Sequence, residues 1–132
     1  MELENYSLSE YYKELADEVI EEHEELHWLS NVRIDYATSL KQKKSHGMAV
    51  FGECIKIKEW MQLYIPYDFV IMIYEIYACR LSREVHKRLL HHELLHIGAN
   101  EKDGSLTYKI NPHDVQDFKA IINEYGLDWI DG

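Results

Sequence analysis

Between residues 8 and 28, Tyr12, Leu15, Ala16, Val19, Ile20, His23 and Leu26 recur at helical spacing, and Ser7 with Glu10 forms a capping box. The pattern predicts one amphipathic helix whose outer face is acidic. Glu21, Glu22, Glu24 and Glu25 crowd that face, and such a charge run reads first as a solvated surface. Val32, Ile34 and Tyr36 then alternate with polar residues, and a second β-rich run spans Met48 to Lys58. Between them Lys41 to Gly47 reads as an exposed basic loop that keeps strand edges soluble. Trp60, Met61, Leu63 and Tyr64 suggest a short helix stopped by Pro66, and Asp68 to Tyr74 is a continuous apolar run of the kind found in buried strands.

The second half opens with Ser82, which can cap a helix running to Ile97 and closed by Gly98, with Leu90, Leu94 and Ile97 facing the core. A turn at Glu101 to Gly104 and a short strand from Leu106 to Ile110 follow. Asn111 and Pro112 then open a last helix that ends near Gly126.

At 132 residues the chain reads as a single domain, residues 1–132. It has no long apolar span and no signal-like start, and its two cysteines form no C-x-x-C pair, so a cytoplasmic, reducing setting is expected. The formal charge of −10 argues against nucleic acid and anionic membranes as partners. The unusual component is histidine. Of eight, His86, His91, His92, His96 and His113 cluster late in the chain.

His92-Glu93-Leu94-Leu95-His96 is H-E-x-x-H on a predicted helix, which places two imidazoles one turn apart on one face, able to grip a zinc ion. Glu93 then lies beside the metal as general base and acid, taking a proton from a water that the metal acidifies and passing it to a leaving amine. His23-Glu24-Glu25-Leu26-His27 matches the same pattern, so surroundings must decide. A buried metal helix needs apolar neighbours, because unpaired carboxylates are costly to desolvate. The first copy is acidic inside and before it; the second is flanked by Leu89, Leu90, Leu95 and Ile97. The second is the metal site, and the first reads as solvated or half-buried histidines.

A catalytic zinc keeps three protein ligands and one open position. The short-spaced form with glycine at 99 and histidine at 102 is excluded by Ala99 and Lys102. Downstream only His113 remains as a histidine, and Asp117 shares its helical face; if His113 binds zinc, Asp117 can reach the far nitrogen of His92 or His96 and orient it. Asp114 or Asp117 as the direct third ligand is the alternative. His91 is expected at the surface or behind the ligands, and His86 in solvent. Tyr108 and Tyr125 are candidates for stabilising an oxyanion, with nothing to choose between them.

From about Asn31 to Trp129 the chain resembles the phage-type metallopeptidase family, and more distantly SprT-like and ImmA/IrrE-type intracellular peptidases. The resemblance is carried by Asp68 to Ile71, Leu81-Ser82, Leu89 to Gly98, and His113-Asp114-Val115-Gln116-Asp117-Phe118. It implies an α+β, minimal zincin-like fold: a small twisted sheet packed on the H-E-x-x-H helix, with an N-terminal acidic helix outside the resemblance and a C-terminal helix. It also implies Zn2+ as cofactor, His113 as third ligand, and Asp68 to Tyr74 as an edge strand that pairs with a protein or peptide substrate. The competing readings are a zinc-stabilised module that binds a host protein without cutting it, and a hydrolase of a non-peptide bond.

Overall fold

The computed structural model describes residues 3–112. The last predicted helix, with His113, Asp114, Asp117 and Tyr125, lies outside them. The described chain is mixed α and β. Strand β1 (Tyr6–Leu8) leads into helix α1 (Glu10–Glu22) and a 3-10 helix at Glu24–Asn31. Strand β2 (Ile34–Ser39) is followed by a small hairpin of β3 (Lys44–Ser45) and β4 (Met48–Ala49), then β5 (Gly52–Lys56) and a 3-10 helix at Glu59–Leu63. Strand β6 (Phe69–Tyr74), helices α2 (Glu75–Ala78) and α3 (Arg83–Leu94), and the hairpin β7 (Ile97–Lys102) and β8 (Ser105–Ile110) complete it.

Four strands form one sheet in the order β1-β2-β6-β5, with β2 parallel to β6 and the other pairs antiparallel. The register sets Tyr36 opposite Ile71 and Cys54 opposite Ile71 from the other side. Phe69, Ile71 and Ile73 project to one face, where they meet Tyr12, Leu15 and Val19 of α1 and Leu90 and Leu94 of α3 in a single core. Strand β6 is therefore interior. The resemblance made it the edge, but β5 covers that side through a full ladder, so β5 is the sheet's outer strand next to α3. The continuous apolar run of β6 fits a strand with neighbours on both sides.

The first helix is shorter than its periodicity predicts. Ser7 is committed to the ladder with β2, and the cap falls to Ser9, whose hydroxyl accepts from Tyr12 N at 3.1 Å. At the other end His23 is extended (φ −123°, ψ 109°), and its Nδ1 donates to the Val19 carbonyl at 2.8 Å. The chain then continues with Leu26 and Leu29 buried three residues apart, the spacing a 3-10 helix eclipses. The basic stretch is not a plain loop. His46 and Gly47, both at positive φ (53° and 78°), turn the β3–β4 hairpin, and Lys43 pairs with Glu53 of β5 at 2.6 Å.

Helix α3 starts where predicted, with the Ser82 hydroxyl accepting from Val85 N at 3.2 Å. It ends at Leu94, three residues before the predicted stop, and Gly98 lies inside strand β7 rather than at a helix cap. His86 differs from its expected place in solvent, and of the two places expected for His91 the surface is excluded. His86 is buried: its Nε2 donates to the Ala78 carbonyl at 2.7 Å while Tyr11 donates its hydroxyl proton to Nδ1 at 2.8 Å. His91 is buried as well, under the His23 ring. No helix among the described residues is long and apolar enough to cross a membrane.

Removing the α3 cap isolates one local term. Ser82→Ala should destabilise the protein by about 1 kcal/mol, measured as a lower urea midpoint at unchanged slope.

Candidate metal centre

The second H-E-x-x-H copy spans the end of α3. Leu95 N bonds to the His91 carbonyl and His96 N to the Glu93 carbonyl, both at 3.1 Å, so the last turn tightens and carries His96 just past the helix. His92 and His96 are both buried, with ring centroids 5.0 Å apart and ring planes at 85°. His96 Nδ1 donates to the Asn111 carbonyl at 2.6 Å, and Asn111 N returns a bond to the His96 carbonyl, also at 2.6 Å. That tautomer leaves the lone pair on Nε2, the state in which an imidazole ligates a metal. Two buried imidazoles, one with its tautomer fixed by a carbonyl, suit a zinc-type ion. Among the described residues no set of three or more His, Cys, Asp or Glu converges on a metal position. The expected third ligand, His113, and its alternative, Asp114, lie outside the described residues.

Glu93 lies between the helix and the sheet's outer strand. A Cβ added at Gly52 of β5 would sit 3.4 Å from its Oε2, so the carboxylate lies against the strand's backbone. Burial pushes its pKa from the usual 4.5 up to about 8, with the nearby Glu53 charge adding to the rise. Glu53 in turn accepts from the Tyr74 hydroxyl at 2.7 Å and from Lys43. Cys54 shares this environment, and burial followed by the Glu93 charge keeps it a thiol, unsuited to be a metal thiolate.

The first copy is put to other use. His23 ends α1 and His27 is exposed in the 3-10 helix, so the two imidazoles share no helical face. His23 instead covers His91, at 4.0 Å between ring centroids, and Glu25 Oε1 lies 3.4 Å from His91 Nε2. Tyr108 rests against Phe69 in the core, with ring centroids 5.8 Å apart. Two residues important to the geometry were missed as such in the sequence, both glycines. An isolated glycine inside a strand pattern is a sign of close backbone approach, and Phe51-Gly52-Glu53 carried that sign. Gly98 makes room for Asn111, since a Cβ there would lie 2.5 Å from Asn111 Oδ1.

A family model described as "Putative phage metallopeptidase" matches residues 4–131. The chain belongs to that family. The matched range begins at residue 4, so it takes in α1, which the sequence resemblance had left outside. Membership in a metallopeptidase family implies a bound metal ion, in keeping with the paired imidazoles. No curated protein and no solved structure matches the chain.

Two outcomes follow from this geometry. Gly98→Ala should displace Asn111 from His96 and weaken zinc binding by about tenfold, read by competition with a chromophoric chelator. In the metal-free protein, Glu93 keeps its proton in the folded state up to about pH 8 but loses it near 4.5 when unfolded. Its folded state is thus penalised progressively as pH rises across that window. Glu93→Gln has no proton to lose. Its melting temperature should gain on the wild type by roughly 10 °C between pH 5 and pH 8, and a constant gap would contradict the assignment.

Proposed function

We propose that the protein is a zinc-dependent metallopeptidase that hydrolyses peptide bonds, with Glu93 as general base and acid. The observation that carries the reading is a pair of buried imidazoles on the helix whose buried carboxyl group, Glu93, lies against the backbone of an outer β-strand. Base, metal donors and a peptide-pairing edge then meet in one place.

In this reading His92 and His96 hold the ion together with His113, Asp117 orients a ligand, and Asp114 is the alternative third donor. A zinc ion bound there supplies Lewis acidity, polarising the scissile carbonyl and making water acidic enough to deprotonate near neutral pH. The rest is done by the chain. An extended substrate adds to the outer edge of β5, where its backbone amides and carbonyls find the partners that a sheet edge offers. That registers one peptide bond beside Glu93. Glu93 accepts the proton of the attacking water and returns it to the departing amine, so the carboxylate ends the cycle as it began. Among the described residues no further strand pairs with β5, which supports this placement.

Protein purified without chelator should carry close to one zinc per chain, and Glu93→Gln should keep the metal while losing a factor of about 100 to 10,000 in peptide cleavage. Cleavage is best sought by comparing the proteomes of cells expressing either form. Failure to take up zinc at neutral pH would sink the metal assignment. A biological effect that survives Glu93→Gln with the metal retained would instead identify a binding module.

A further inference from the structure

Along helix α1 the carboxylates that reach α3 are paired, and their neighbours are not. Glu18 pairs with Arg83 and Glu22 with Lys87. Asp17 and Glu21, one residue before each, form no ion pair among the described residues. They share a helical face with Lys13 and Ile20, and that face borders a cavity of about 380 Å³ between α1, the 3-10 helix at Glu24–Asn31 and β2. Leu29 and Val32 add apolar walls. His27, from the first H-E-x-x-H copy, also lines it, and its Nε2 donates to the Glu21 carbonyl at 2.9 Å. No residue of the second copy borders this cavity, so it is a concave site apart from the metal centre, of a volume that small ligands and side chains fill.

Two polar groups at the cavity lack partners among the described residues. Tyr36 lines it and is 3% exposed, yet its hydroxyl forms no hydrogen bond there, and the little exposure it keeps includes that oxygen. Burial, then the Asp17 charge, raises its pKa, which leaves a neutral phenol with proton and lone pairs uncommitted. The second group is backbone. Phe69 N bonds to the Arg33 carbonyl at 3.2 Å, so Arg33 faces β6, and by alternation Ile34 and Tyr36 face away from it. On that outer side β1 covers only Ala37 to Ser39, and the Tyr36 carbonyl accepts from Ser9 N at 2.9 Å. The N–H and C=O of Ile34 are left open beside the cavity.

We propose that this cavity binds an arginine residue in an extended segment of a partner protein, its backbone pairing with Ile34 and its guanidinium reaching Asp17 and Glu21. A residue opposite Ile34 in the sheet carries its side chain on the same face as Ile34, the face packed against α1. Its methylenes then lie along Ile20 and Leu29. Asp17 and Glu21 stand one turn apart, a spacing that the planar fork of a guanidinium bridges and the single point of an ammonium does not. The Tyr36 oxygen accepts a further guanidinium N–H. Lys13, one turn before Asp17, forms no ion pair among the described residues, so both carboxylates are open to the incoming charge. The site shares no residue with the metal centre, and the proposal stands or falls apart from the peptidase reading.

The test uses the full chain carrying Glu93→Gln, so that the probe stays intact. The probe is a capped, fluorescein-labelled peptide of valine and threonine with one central arginine, followed by polarisation. Replacing that arginine by citrulline, which keeps the shape and removes the charge, should weaken binding about tenfold. The double variant Asp17→Asn, Glu21→Gln should weaken the arginine peptide by about the same factor, and Tyr36→Phe by about threefold. Circular dichroism and the melting temperature report that each variant is folded. Equal affinity for the arginine and citrulline peptides overturns the proposal, as does an affinity that the double variant leaves unchanged or the absence of binding up to about 1 mM peptide. Butylguanidine displacing the probe as effectively as the unlabelled peptide does overturns the backbone pairing, and with it the partner-protein occupant.

Discussion

Helix α3 buries a run of polar side chains that no helix can bury alone. His86, Lys87, His91, His92 and Glu93 are all withdrawn from solvent, and each must find a partner or pay the cost of desolvation. Helix α1 and the 3-10 helix after it supply several of them. Tyr11 reaches His86, Glu22 reaches the Lys87 ammonium at 2.7 and 2.9 Å, and Glu25 approaches His91; Arg83, at the start of α3, pairs with Glu18. The acidic face is therefore complementary to α3 along much of its length. It seats the helix that carries the H-E-x-x-H residues, and the family match accordingly begins before it.

The charge run is exposed, as its pattern predicts, and Glu22 and Glu25 also reach α3. A carboxylate on a solvated face and a carboxylate that reaches across to a lysine are identical in sequence, since both sit on the polar side of an amphipathic helix. Only the second helix distinguishes them, and Lys87 lies 65 residues beyond Glu22. His86 failed for the same reason: its partners, Tyr11 and Ala78, are brought together by tertiary packing. What periodicity could read, it read well. The Leu90, Leu94 and Ile97 stripe is buried, and the Phe69 to Tyr74 run is a strand. Its neighbours were not legible, because period and hydrophobicity mark a strand as buried without saying which strands flank it.

The two H-E-x-x-H copies show how little a motif fixes by itself. In the second copy, helical backbone through Leu94 and a tightened turn bring His92 and His96 together. In the first, extended backbone at His23 sends the chain off the helix axis before His27. Apolar flanks told the copies apart because they report burial, and burial requires a regular backbone whose polar groups are internally paired. His113 and Asp117, the proposed third ligand and orienting aspartate, lie outside the described residues.

Two glycines allow close approaches around the H-E-x-x-H segment. At Gly52 an added Cβ would press on Ile73 Cδ1 at 3.2 Å, the Met72 carbonyl at 3.3 Å and Glu93 at 3.4 Å, leaving no slack between outer strand and helix. At Gly98 the same close approach lets Asn111 reach the turn that holds His96. Gly52 meets Glu93 from β5, and Gly98 meets Asn111 from β7. A side chain at Gly52 would press on β6 and on Glu93 of α3, and one at Gly98 would displace Asn111. A carboxylate at the end of a helix is then fixed relative to a strand edge by backbone contact, which has fewer degrees of freedom than any side-chain bridge. Backbone contact thus keeps the Glu93 carboxylate, on the same helix as the paired imidazoles, in constant relation to strand β5.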